Sequence, residues 1–88
     1  MRLPRDLSGD DLVKALRGLG YEVTRQTGSH RRLTTLDHGE HHVTIPRHNP
    51  LRIGTLAGIL SDVAEHFELS REESAARLFG EKQSTTAR

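Results

Sequence analysis

The chain has 88 residues, with 13 Lys and Arg against 12 Asp and Glu for a formal charge of +1, and 33% of it is hydrophobic. That allows one small domain with a thin core that a partner can help to cover, and excludes two domains with separate cores. The absence of cysteine excludes disulfides, iron-sulfur clusters, zinc-thiolate sites and a thiol nucleophile, and it makes the reducing cytoplasm the expected location. Apolar runs extend only a few residues and Met1 to Asp6 has no apolar stretch, so neither a membrane span nor a signal peptide is expected.

Ser8 is placed to cap a first helix, with Asp10 and Asp11 in the first turn, where carboxylates favour the positive end of the helix dipole. Leu12, Val13, Leu16 and Leu19 follow helical spacing and form one stripe, and Gly20 sits where a left-handed residue ends a helix. From Tyr21 the period changes to two, with Val23 alternating against Glu22 and Thr24, which predicts a strand up to Thr27. Gly28 and Ser29 turn the chain into a second strand, His30 to Leu36. Asp37 to Glu40 is a second turn, and a third strand from His41 to Ile45 stops at Pro46. If Val23, Leu33, Val43 and Ile45 face the helices, then Thr24, Gln26, His30, Arg32, Thr34, His42 and Thr44 share a wholly polar face.

Beyond the loop Arg47 to Pro50, a second and longest helix after Gly54 and Thr55 carries Leu56, Ile59, Leu60, Val63 and Phe67 on one side. Ser70 with Glu73 three residues later is a capping box, opening a short third helix with Ala75, Ala76, Leu78 and Phe79 that Gly80 ends. Residues 81–88 are polar and aperiodic, and a frayed tail is expected there. The expected organisation is a single α+β domain over residues 1–80, its main part spanning 8–67 and an added short C-terminal helix about 70–79. No repeat, linker or low-complexity block interrupts it. Residues 1–60 hold 9 Lys and Arg, 6 Asp and Glu and five of the six His, whereas residues 61–88 hold 4 basic and 6 acidic residues. The basic part is where a polyanion would bind.

The run Arg25-Gln26-Thr27-Gly28-Ser29-His30 matches the Arg-Gln-x-Gly-Ser-His signature of the HicA (YcfA-like) toxins. Leu12 to Leu19, Gly20-Tyr21 and Gly54-Thr55-Leu56 with Ile59-Leu60 follow the same family pattern in the same order, so the chain resembles that family over roughly residues 8 to 67. The resemblance implies a two-layer αβββα fold like that of double-stranded-RNA-binding domains, with a three-stranded antiparallel sheet. It also implies ribonuclease activity on messenger RNA and neutralisation by a HicB-type antitoxin, with His30 as the catalytic histidine. The third helix departs from the family pattern and is expected to add core or to contact the antitoxin or a second copy. His38, His41 and His42 inherit no role.

Metal-free cleavage of RNA needs a group that removes the ribose 2′ proton, charge that stabilises the phosphate, and a proton for the departing 5′ oxygen; imidazole suits both proton steps. An isolated histidine in a strand is normally a surface or hydrogen-bonded residue, and it is the signature around His30 that singles it out. Arg25, Arg31 and Arg32 flank its turn and Arg47, His48 and Arg52 flank the second helix, so guanidinium groups are available for phosphate. Gln26 and Ser29 offer hydrogen bonds to ribose or phosphate, and the Gly28 and Ser29 amides offer a phosphate contact. The chain has one Tyr and two Phe, all at core-like positions, so base stacking gives way to charge and shape, with weak sequence preference and salt-sensitive binding.

The residues leave other uses open. A non-catalytic RNA-binding module needs the same polar face and basic edge. A metal site on His38, His41 and His42 would have to use adjacent residues that point to opposite faces of a strand. An interaction protein could dock a partner on its sheet or third helix, which is compatible with a toxin whose antitoxin covers His30. No cofactor is expected, and the oligomeric state is left open.

Overall fold

The computed structural model describes residues 6–80; residues 1–5 and the tail expected over 81–88 lie outside the described residues. The chain runs α1 (Gly9–Gly18), β1 (Glu22–Gln26), β2 (His30–Thr35), β3 (His41–Pro46), α2 (Ile53–Phe67) and α3 (Arg71–Ala75), the last continuing as a π-helical turn over Ala76–Gly80. The strands form one antiparallel sheet in the order β1-β2-β3, and the helices pack on one of its faces. This is the expected α+β arrangement, compatible with a double-stranded-RNA-binding-domain-like fold.

The ends of α1 follow from local chemistry. Ser8 Oγ accepts the Asp11 N–H at 3.0 Å while the Asp11 carboxylate accepts the Ser8 N–H at 3.2 Å, a reciprocal cap of two otherwise unpaired donors. At the other end Gly20, at φ +112°, takes the left-handed position. Its N–H donates to the Arg17 carbonyl and that of Tyr21 to the Leu16 carbonyl, the paired bonds that close a helix on a glycine. Ser70 and Glu73 cap α3 in the same reciprocal way.

Leu12 and Leu16 of α1, Leu33, Val43 and Ile45 of the sheet and Leu56, Leu60 and Val63 of α2 form the core, joined by Tyr21 and Leu51. The added C-terminal segment contributes to it: Ala75 and Leu78 are buried in the same cluster, and the buried Ser74 hydroxyl is satisfied by carbonyls of Arg71 and Leu60. Extra core is therefore one use of this segment.

Two details of the sheet depart from simple alternation. The register between β1 and β2 slips between Val23 and Arg25, so that Val23 pairs with Leu33 but Arg25 pairs with Arg32 and Gln26 with Arg31. A bulge of this kind inverts the phase of the strand beyond it. Gln26, expected on the polar face, shares the helix side with Arg31, and Arg25 takes its place on the open face. Val23 keeps the expected face yet is 38% exposed, because β1 is an edge strand.

Tyr21 is 1% exposed and its hydroxyl lies 2.8 Å from His41 Nδ1. Burial, reinforced by the Asp62 carboxylate, pushes its pKa up from 10.0 to about 12. The unfolded chain therefore loses this proton first as pH rises. The contribution of Tyr21 to stability is complete below pH 10 and declines by about 1.4 kcal/mol per pH unit until pH reaches about 12. Urea unfolding at the two ends of that window is expected to show a steeper alkaline loss for the natural chain than for Tyr21→Phe; equal losses would contradict it.

Candidate functional site

His30 opens β2 directly after the turn Thr27 to Ser29, and local bonds hold that turn. Thr27 Oγ1 accepts the His30 N–H at 3.1 Å, and the Thr27 N–H donates to the His30 carbonyl at 2.9 Å. On its other side His30 pairs with Pro46, which has no N–H to continue the ladder. The next residue takes over, its N–H donating from Arg47 to the Ser29 carbonyl at 2.9 Å. The turn is thus tied to the end of β3, and nothing lies within 4 Å of where a side chain on Gly28 would begin. The approach to the turn is open.

The His30 ring is exposed. Its Nδ1 lies 3.0 Å from Ser29 Oγ, and Nε2 has no partner among the described residues. A hydroxyl can donate or accept, so Ser29 supports either tautomer of the neutral ring: a lone pair at Nε2 ready to take a proton, or an N–H there ready to give one. The arrangement can do acid or base chemistry at an atom presented to solvent.

Alternation along β2 puts Arg32 on the face of His30, and the register adds Arg25 opposite it. Arg47 follows β3, exposed, and lines a small depression with Ser8, Asp10, His48 and Asn49 beside α1. Arg31 is placed differently from the expectation of a phosphate-binding flank. Its side chain passes under the sheet, is 11% exposed and forms an ion pair with Asp10 of α1. The alternation that exposes His30 and Arg32 requires the residue between them to face the helices, so Arg31 ties α1 to the sheet. Gln26 shares that side by register although it is exposed on the edge strand, and Gly28 and Ser29 are exposed at the turn. The structure thus groups His30, Ser29, Arg25 and Arg32 on one accessible face and separates Arg31 and Gln26 from them, while the Arg47 side chain borders Asp10 of α1.

At the far end of the same face, His42 Nδ1 lies 2.7 Å from Thr34 Oγ1 and its Nε2 lies 2.9 Å from Glu40 Oε2. Alternation already placed Thr34 and His42 on this face, but their pairing depends on a register that the sequence does not state. Its strand neighbour His41 points to the helix side, bonded to Tyr21, 3.4 Å from Asp62 and stacked on His66 with ring centroids 4.4 Å apart. Among the described residues no group of three or more His, Cys, Asp or Glu side chains is placed to hold a metal ion. No described helix is long and apolar enough to cross a membrane.

The chain is thus a small α+β domain with an exposed histidine at the turn end of its central strand. The family model described as HicA toxin of bacterial toxin-antitoxin systems matches residues 9–64, and the chain belongs to that family. It is therefore the toxin type of a toxin-antitoxin pair, with an antitoxin as the kind of partner this implies. Comparisons with curated proteins and with solved structures gave no match.

Proposed function

We propose that the chain is a metal-independent endoribonuclease that cuts messenger RNA in the cytoplasm, with His30 as its catalytic residue, and that a HicB-type antitoxin neutralises it. The observation that carries this reading is the exposed His30 ring, ordered by Ser29 at Nδ1 and free at Nε2 among the described residues, on the same face as Arg25 and Arg32 in a chain of the HicA family.

The chemistry follows from the group presented. With Nε2 unprotonated, His30 takes the proton of a ribose 2′-OH; the 2′ oxygen attacks phosphorus, the bond from phosphorus to the 5′ oxygen breaks, and the products are a 2′,3′-cyclic phosphate and a 5′-OH once the leaving oxygen gains a proton. Arg32, Arg25 and Arg47 supply positive charge for the pentacoordinate phosphate, and Ser29 and the Gly28 and Ser29 amides supply hydrogen bonds. Arg31 is committed to Asp10 and takes no part without giving up that pair. An antitoxin that lays acidic side chains over this edge blocks substrate and charge together.

Purified protein incubated with end-labelled RNA and EDTA tests the reading. Fragments ending in 2′,3′-cyclic phosphate are expected, and a single 2′-deoxy substitution at a cut site is expected to protect it. RNA that is bound but left intact would replace the enzyme with a non-catalytic RNA-binding module.

A further inference from the structure

The open face carries a second ordered imidazole that the His30 chemistry leaves unused. Beyond the bonds of His42 to Thr34 and Glu40, Thr34 Oγ1 lies 2.9 Å from Thr24 Oγ1, and the Thr24 hydroxyl lies 3.3 Å from the Arg32 carbonyl. None of these four side chains belongs to the core. With Arg25 and Arg32 they line a shallow groove of about 510 Å³.

This chain of hydroxyls fits the imidazole in either protonation state. With His42 neutral, Nε2–H donates to the Glu40 carboxylate, Nδ1 accepts from Thr34, and Thr34 accepts from Thr24. With His42 protonated, Nδ1–H donates to Thr34, Thr34 donates to Thr24, and Thr24 donates to the Arg32 carbonyl. Gaining a proton reverses the hydroxyls without stranding any donor. The charged groups around the ring are Glu40, Arg25 and Arg32 in the groove, with Glu22 and Asp37 bordering Thr34. Three carboxylates offset two guanidinium groups until His42 charges, which moves the balance one unit toward positive on a face open to solvent.

His42 pairs with Thr34, four residues along β2 from His30 and on the same face, which is about 13 Å of strand. Acid and base acting on one phosphodiester must both reach its oxygens, so His42 is too distant to serve the bond that His30 cuts. Resting on the ribonuclease reading, we infer that protonated His42, standing beyond the Arg25 and Arg32 pair that serves the cut phosphate, forms a second phosphate subsite, holding the same RNA strand at least one nucleotide from the cut. Glu40 orients the ring and competes with phosphate for it, so the subsite strengthens when the ring gains a proton.

A short labelled RNA that cannot be cut by the His30→Ala protein provides the measurement, its Kd followed from about pH 8 to about pH 5.5. Affinity is expected to rise about fivefold or more, within the tenfold per pH unit that one linked proton allows. Adding His42→Gln should remove most of that rise, and adding Glu40→Gln should tighten binding at the alkaline end. Coincident pH profiles with and without His42 would overturn the subsite, as would an unchanged alkaline Kd for Glu40→Gln if the His42 variant does not fold. If the natural chain cuts RNA and the profiles coincide, the subsite alone falls; if it neither cuts nor binds RNA, the ribonuclease reading falls with it.

Discussion

Replacing His30 by alanine is expected to lower RNA cleavage by at least a hundredfold, and up to about ten-thousandfold, the range associated with a positioned general acid or base. Stability should change by less than about 0.5 kcal/mol, since the side chain is exposed and its one described contact is with Ser29. RNA affinity should stay within about twofold at neutral pH, because Arg25, Arg32 and Arg47 supply the electrostatic attraction and remain in place. Single-turnover cleavage, Kd and thermal unfolding measured on one preparation separate these effects. Ser29→Ala should slow cleavage by a smaller factor, having lost only the hydroxyl that steadies the ring. A folded His30→Ala protein that cuts at a comparable rate would remove His30 from the mechanism.

The second large effect concerns the joint beneath the site. Gly9 is buried at the start of α1, its N–H donates to the His48 carbonyl at 2.8 Å, and a methyl group there would collide with the Pro46 carbonyl oxygen while standing 3.4 Å from Arg47 Cα. Both neighbours are backbone and cannot swing aside. Gly9→Ala must push α1 off the end of β3, straining the Ser8 cap and the pair of Arg31 with Asp10. The expected cost is about 3 kcal/mol, a fall in Tm of more than about 10 °C for a domain of this size. Gly18→Ala in the same helix is the control: nothing lies within 4 Å of its added methyl, and relief of glycine's backbone entropy should stabilise by about 0.5 to 1 kcal/mol. Opposite signs for the two substitutions would establish close approach, and equal signs would contradict it. Displacement of Pro46 and Arg47 should also reduce cleavage, since Arg47 N–H holds the turn that carries His30.

Much of the fold is written in short-range patterns. Ser8 with Asp11 and Ser70 with Glu73 satisfy backbone donors three residues away, so both helix starts are legible without any tertiary contact. Gly20 supplies a left-handed residue between a helical and a two-residue period, and that change of period marks where α1 ends and β1 begins. The α2 helix starts at Ile53 and takes in Gly54 and Thr55, expected to precede it, because its N-terminus has no side-chain cap to mark the boundary. His30 was singled out by its surrounding signature rather than by periodicity. The geometry places it beside Ser29 at an exposed turn.

What the chain determines alone is the order of its elements, their caps and turns and which stripe of each is apolar, because each rests on bonds and spacings within a few residues. Tertiary structure decided which cations surround His30. One unpaired residue in β1 shifted the register, brought Arg25 opposite Arg32 and turned Gln26 to the helix side. Strand alternation sent Arg31 under the sheet to Asp10, and the β2–β3 register joined Thr34 to His42. Such pairings connect residues distant along the chain, and a bulge that reverses a face leaves no local pattern to read.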